Sequence, residues 1–212
     1  ARNLLGENNW NDNYDLTYNV LLSLGECEYL NDNLEKAEDY FKEILNHAKT
    51  RYDKLKVYAL HTSLYLKIGD SQKALKVGSE AAKLYNIKFP KNKKLIELYA
   101  LLKLAKYLIL FSTKYRKPED FSHIKESEDE ENIALNRLMI DVASSAYMHD
   151  QNLMMIVVLK IIKMYLKHGS SDASGWGFSG LSVVVLSGLK MQPKGMRSEE
   201  HTSELQSRHN LG

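Results

Sequence analysis

The residues of this chain that could do chemistry include a glycine run towards its C-terminal end. Gly175, Gly177 and Gly180 stand at the spacing GxGxxG, by which glycines let a pyrophosphate approach a helix N-terminus. That fingerprint requires a preceding strand and a following acid for the ribose, and the next ten residues, LSVVVLSGLK, contain no acid. A GxxxxGK[ST] phosphate-binding loop is also missing from the sequence. We interpret the run as small residues that let helices pack closely, and we predict no catalytic residue and no cofactor.

Side chains that bind metals do not occur at the spacing of a known metal site. None of the seven histidines belongs to an HExxH motif or to a cysteine cluster with zinc spacing. The acidic run 126–131, ESEDEE, lacks the alternation and the glycine of a calcium loop. We therefore predict no metal site, a solvated loop at ESEDEE, and a packing role for His61 on a core-facing helix.

The single cysteine, Cys27, excludes an internal disulfide framework and suits a reducing cytosol. Its place on an apolar helix face predicts a small buried side chain. We expect the chain to be cytoplasmic.

Composition favours helices throughout the chain. Only 3 prolines and 11 glycines interrupt 212 residues that are 44% hydrophobic. The net charge of +2 is made of interleaved acids and bases, which does not recommend nucleic acid as a direct partner. The two most apolar runs, 98–111 and 153–166, each carry two lysines, so we interpret them as buried inner helices and not as membrane spans.

One helix–turn–helix unit, Leu24 to Leu45, is repeated later in the chain. It reads LGECEYLNDNLEKAEDYFKEIL, with a polar turn at residues 31–33 and a small residue, Ala37, where two helices would touch. A second unit over residues 54–85 places Ala74 in the position of Ala37, which gives a period of 37 residues. The predicted repeat-packing residues are Leu24, Gly25, Ala37, Phe41, Tyr65, Gly69, Ala74 and Ala81.

The rest of the chain divides around these two units. We predict a polar lead-in over residues 1–13, two repeats over 14–90, further helical-repeat pairs over 91–190, and a disordered tail over 191–212. The run RSEEHTSELQS at 197–207 resembles the translation of a sequencing adapter, so the tail is predicted to be artefactual from about residue 197. We therefore expect the natural part to be a fragment of a longer protein.

Residues Leu24 to Leu45 and Tyr58 to Leu84 look like tetratricopeptide repeats. The stretch from about Tyr14 to Lys190 further resembles the helical middle region of large bacterial multi-domain signalling proteins. Those proteins combine a serine/threonine-kinase-like domain, an AAA-type predicted ATPase, this helical region, a GAF domain and often a histidine kinase. The resemblance implies an all-α fold of antiparallel helix pairs stacked as a right-handed superhelix. It also implies a non-catalytic interaction or regulatory module of a cytosolic signal-transduction ATPase or protein kinase.

In tetratricopeptide repeats the first helix of each pair lines a concave face that binds a protein segment or a neighbouring domain. The resemblance therefore implies these partner-binding residues: Asn19, Leu22, Glu26, Tyr29, Lys56, Ala59, Ser63 and Lys67. The sequence departs from the family pattern at Asp32, which replaces a turn glycine, and at Gly78, which replaces an aromatic residue and predicts looser packing of the second pair. The alternatives are the ligand-sensing repeat domain of a maltose-regulator-like transcription activator, and a stand-alone protein-binding scaffold.

Overall fold

A computed structural model describes residues 9–188 of the chain, and within that range the fold is all-α. The helices are α1 (Asn9–Asp12), α2 (Tyr14–Leu30), α3 (Leu34–His47), α4 (Arg51–Lys67), α5 (Ser71–Leu84), α6 (Lys93–Thr113), α7 (Glu130–Tyr147), α8 (Gln151–His168) and α9 (Asp172–Gly188), with a short 3-10 helix at Pro118–Phe121. The described part of the chain contains no strand, and its one extended pairing is an isolated bridge between Glu126 and Ser170. The predicted all-α class is confirmed. The predicted tail, and the lead-in before residue 9, lie outside the described residues.

Short polar side chains begin most of the longer helices. Thr50 and Asp53 form a capping box at the start of α4, and Asp129 accepts two backbone N–H groups at the start of α7. Asp150 does the same for α8. These caps satisfy N–H groups that have no partner within the helix, which is why the helix starts can be predicted from sequence to within about three residues.

Two helical hairpins form the N-terminal part of the fold. In the first, α2 packs against α3, and in the second, α4 packs against α5. The first turn passes through Asp32, at a positive φ of 65°, and the second through Gly69, at a φ of 80°. Gly25 lets the hairpin α2–α3 close, because a Cβ there would lie 2.7 Å from the ring of Phe41.

The chain leaves this regular order after α5. Helix α7, not α6, packs against both α4 and α5, and α8 and α9 continue from it. Gly78 lies at the α5–α7 contact, where an added Cβ would be 2.5 Å from Val142 Cγ2. An aromatic ring at position 78 would have no room, because α7 occupies that space. Looser packing of the second pair stays a prediction.

Helix α6 lies outside the series of helices α2 to α5 and α7 to α9, and it packs on α8. The prediction that both apolar runs are buried inner helices is correct for α8, which carries ten buried residues, and wrong for α6. Only Ile96, Ala100 and Tyr107 of α6 are buried. One face of α6 covers α8 and the other remains exposed.

The prediction that Cys27 is buried is wrong, because the structure exposes it. The core-facing side of α2 runs through Tyr18, Leu21, Gly25 and Tyr29. Cys27 lies two residues beyond Gly25, which on a helix points about 200° away from that side.

Candidate interaction surfaces

Seven of the eight residues predicted for a concave binding face keep at least part of their side chain exposed. Asn19 and Lys67 are exposed, while the others are half-buried: Leu22, Glu26, Lys56, Ala59 and Ser63. Helices α2 and α4 are neighbours here, since the Lys56 ammonium lies 5.2 Å from the centre of the Tyr18 ring. Partner binding by this set is a prediction that the geometry neither requires nor opposes.

Tyr29, the eighth residue, is only 4% exposed. Its ring packs edge-on against Tyr65, with the ring centres 6.0 Å apart. Burial raises the pKa of Tyr29 to about 12, and its hydroxyl has no hydrogen-bond partner among the described residues. Tyr29 therefore acts as a packing residue between α2 and α4 and offers little surface to a partner.

The predicted repeat-packing residues lie at the hairpin contacts. Gly25, Ala37, Phe41, Tyr65, Ala74 and Ala81 are buried, and Leu24 is half-buried. Gly69 is exposed and forms the left-handed turn between α4 and α5.

A buried polar network joins α3 to α4 beneath the predicted face. His61 Nε2 donates to Glu38 Oε1 at 3.0 Å, and the Tyr65 hydroxyl donates to the same oxygen. The hydrogen bond from His61 is the largest cause that lowers the pKa of Glu38 to about 2, and it outweighs the opposing effect of burial. The His61 ring lies between Phe41 and Tyr65, at centre distances of 4.7 and 4.6 Å.

His61 is thus a packing residue, as predicted, but its carboxylate partner was missed. Glu38 follows Ala37 and precedes Phe41 by three residues, so it borders the packing face of α3. An acid at that border, opposite a core histidine, is the signal that could have predicted the network.

Arg51 and Glu131 connect the second hairpin to α7. Arg51 Nε donates to Glu131 Oε1 at 2.8 Å, and Arg51 Nη2 donates to Oε2 at 3.2 Å. The Tyr85 hydroxyl donates to the same carboxylate, and its ring lies 4.9 Å beneath the guanidinium. Glu131, the last acid of ESEDEE, therefore links α7 to α4 and α5. Glu126, Glu128 and Glu130 of that run are exposed, as predicted.

Among the described residues, the outward face of α6 carries six of the twelve large apolar side chains that are exposed, and we call this face the outer stripe. Its six large residues are between 48% and 64% exposed. The outer stripe consists of Leu95, Leu98, Leu101, Leu102, Ala105, Leu108 and Ile109. Single exposed leucines are ordinary, whereas contiguous apolar patches occur at protein–protein contacts, membrane contacts and ligand grooves.

Residues 95, 98, 102, 105 and 109 of the outer stripe follow one another at intervals of three, four, three and four residues. This alternation is the a and d pattern of a helix that packs along another helix. The row extends over about 21 Å at 1.5 Å per residue, which is long enough to receive three turns of a partner helix.

The charged side chains of α6 are mostly positive. The helix contains four lysines, Lys93, Lys94, Lys103 and Lys106, and a single acid, Glu97. A second copy of α6 would therefore bring like charges together, whereas a helix with acidic flanks would be attracted.

The glycine run is helical throughout and forms part of α9. A Cβ on Gly177 would lie 2.8 Å from Ile161 Cγ2, and one on Gly180 would lie 3.1 Å from Val158 Cγ2. These two glycines therefore let α9 approach α8 closely, as predicted. Gly175 has open space around it.

No three acids, histidines or cysteines within residues 9–188 come together as metal ligands would. Over the same range, the helices lack the combination of length and continuous apolarity needed to cross a bilayer.

Comparisons of the chain with protein-family models, with curated proteins and with solved structures found no match.

Proposed function

We propose that this chain is a non-catalytic helical-repeat interaction module whose binding element is the outer stripe of α6. The observation that carries the proposal is the row of exposed leucine and isoleucine side chains at heptad intervals on a helix whose opposite face is already packed on α8. When one apolar face of a helix packs on its own protein, the second apolar face is accessible to a partner.

The partner that fits is an amphipathic helix with acidic flanks. The heptad intervals favour a helix over an extended peptide. The side chains of a strand alternate every two residues, so they would not match the spacing of the outer stripe. The lysines beside the outer stripe favour glutamate and aspartate at the flanking positions of that helix.

The repeat character of the hairpins supports the wider assignment. Ala37 and Ala74 are buried at equivalent points of the α2–α3 and α4–α5 hairpins, as a tetratricopeptide-like stack requires. On this reading the module belongs to a cytosolic signal-transduction ATPase or protein kinase and binds a partner or a neighbouring domain of that protein. The superhelical stacking and the cytoplasmic location stay predictions.

The test uses two synthetic helices and three variants of the chain. One peptide carries leucine at the a and d positions and glutamate at e and g, and the other differs only in having lysine at e and g. Fluorescence anisotropy should show the glutamate peptide binding at least tenfold more tightly. The double substitution Leu102→Ser and Ile109→Ser should weaken that binding at least tenfold, with helix content unchanged by circular dichroism.

The matched control is Leu30→Ser, which removes a leucine that is 65% exposed on α2 and should leave binding unchanged. Equal affinity for the two peptides, or equal affinity of the wild type and the double variant, would contradict the proposal. Two other occupants are tested with the same variants. A dimer in light scattering that Leu102→Ser dissociates, or binding to phosphatidylserine vesicles that the double variant abolishes, would assign the outer stripe to self-association or to a membrane instead.

A further inference from the structure

An aromatic cavity of about 560 Å³, which is widely open to solvent, lies at the C-terminal end of α6, away from the outer stripe. Its walls come from α6, the segment that follows it, the short 3-10 helix, α8 and α9. We call this site the aromatic cavity, and its lining residues are Phe111, Tyr115, Arg116, Lys117, Phe121, Tyr165, Phe178, Leu181 and Ser182. The volume lies within the range of about 300–1,000 Å³ that is usual for small-molecule sites.

Five aromatic rings form most of the wall, and these rings pack against one another. Phe178 meets Tyr165 edge-on, with the ring centres 5.2 Å apart at 87°. Tyr115 and Phe121 are stacked 4.8 Å apart at 25°. The rings lie at different angles to one another, and an aromatic wall of this kind suits a flat, apolar ligand body.

The charged groups of the lining are both cations. Arg116 and Lys117 are exposed, and none of the described residues that line the cavity carries a carboxylate. Two acids follow closely in sequence, Glu119 and Asp120, and neither lines the cavity. Asp120 accepts the backbone N–H of Lys117 at 2.8 Å. A guanidinium beside an ammonium favours a carboxylate, which arginine can bind with two parallel hydrogen bonds.

We propose that the aromatic cavity binds a small aromatic carboxylate, with its ring system among the five aromatic side chains and its carboxylate held by Arg116 and Lys117. This site is independent of the outer stripe, which lies on a different face of α6. The chain would then carry a small-molecule site as well as a protein-binding surface.

The experiment compares three probes that share one ring system: 2-naphthoate, 2-naphthalenemethanol and 2-naphthylmethylammonium. Isothermal titration calorimetry should show the carboxylate binding at least tenfold more tightly than the ammonium compound, with the alcohol between them. Amide chemical-shift changes should be confined to residues 111–121, the end of α8 and residues 178–182.

Two pairs of charge-removing substitutions distinguish a direct effect of the cavity cations on binding from a general effect of net charge. Arg116→Gln with Lys117→Gln should weaken 2-naphthoate about tenfold and leave the alcohol unchanged. The control, Lys76→Gln with Lys88→Gln, alters net charge equally at two exposed positions outside the cavity and should change neither affinity. Absence of 2-naphthoate binding, equal binding of carboxylate and ammonium probes, or shift changes centred on residues 95–109 would each overturn the proposal.

Discussion

At the scale of single residues, Asp32 has an unfavourable backbone conformation and Glu38 is a partly buried carboxylate with two hydrogen-bond donors. Asp32 sits at a φ of 65° in the turn between α2 and α3, a conformation that costs an L-residue about 1 kcal/mol. Glu38 is ionised in a mostly buried position because His61 and Tyr65 donate to it. Each state leads to a measurable effect on stability.

Replacing Asp32 with glycine should stabilise the fold by about 0.5–1 kcal/mol. Glycine adopts the left-handed conformation without a steric penalty, and this relief exceeds its extra entropy in the unfolded state. Urea unfolding of Asp32→Gly should show a higher midpoint with the same slope. Asp32→Ala should give no such gain, because alanine keeps the Cβ that makes a positive φ unfavourable, and a gain in both variants would contradict the strain.

Replacing Glu38 with glutamine should destabilise the chain by about 1–2 kcal/mol at pH 7, since the charge-assisted hydrogen bonds are lost. The pKa of Glu38 falls from 4.5 to about 2 on folding, so its stabilising effect is complete above pH 4.5 and is lost as the pH falls towards 2. The difference between wild type and Glu38→Gln should therefore shrink when unfolding is measured at pH 3.5 instead of pH 7.

The neighbouring substitution Asp39→Asn serves as a control, because that side chain is 77% exposed. It should change the free energy of unfolding by less than about 0.5 kcal/mol at both pH values. A Glu38→Gln penalty that is equal at pH 7 and pH 3.5 would show that the carboxylate is not held in its ionised form.

At the scale of helices, the contact between α8 and α9 depends on glycines. Gly177→Ala should destabilise the chain by about 1–3 kcal/mol, because the new methyl group would enter the space of Ile161. Gly175→Ala on the same helix meets open space and should be neutral or stabilising by up to about 1 kcal/mol. Thermal unfolding of the pair tests this contact, and two equal shifts in melting temperature would contradict the close approach of α8 and α9.

Sequence predicts the helices well and their surroundings less well. Capping side chains such as Thr50 and Asp150 are local signals, so the helix boundaries follow from the chain itself. Periodicity also identifies Ala37 and Ala74 as contact points. It cannot distinguish α6 from α8, because both are apolar on nearly every side and only long-range packing decides which one is covered. The outer stripe could not be predicted for that reason. The exposure of Cys27 follows instead from its angle to the buried side of α2.

At the scale of the whole molecule, two apolar cores meet across α4 and α5. The first core gathers around Phe41 and Leu64 and the second around Met139 and Ile161. The α5–α7 contact at Gly78 and the Arg51–Glu131 pair hold them together. Such coupling should make the described part of the chain unfold as one unit.

Gly78→Phe should separate the two cores by forcing α7 away from α5. The two tryptophans report on different cores, since Trp10 packs against the first and Trp176 against the second. Single-tryptophan forms made with Trp10→Phe or Trp176→Phe should share one urea midpoint in the otherwise wild-type chain. With Gly78→Phe added, the midpoints should differ by at least about 0.5 M, and coincident midpoints would show that the coupling does not pass through Gly78.

The direct packing of α7 on α5 also has a consequence for how this fold could be varied. Helices α2 to α5 and α7 to α9 form a continuous series without α6. The segment between α5 and α7 is therefore a long connection, which we call the excursion, and its two ends lie close together. The entropy of closing such an excursion rises only with the logarithm of its length. Its length can therefore change at little cost, provided that Ile96, Ala100 and Tyr107 still cover α8. The outward side of the excursion is where related chains could exchange one binding specificity for another while keeping the same scaffold.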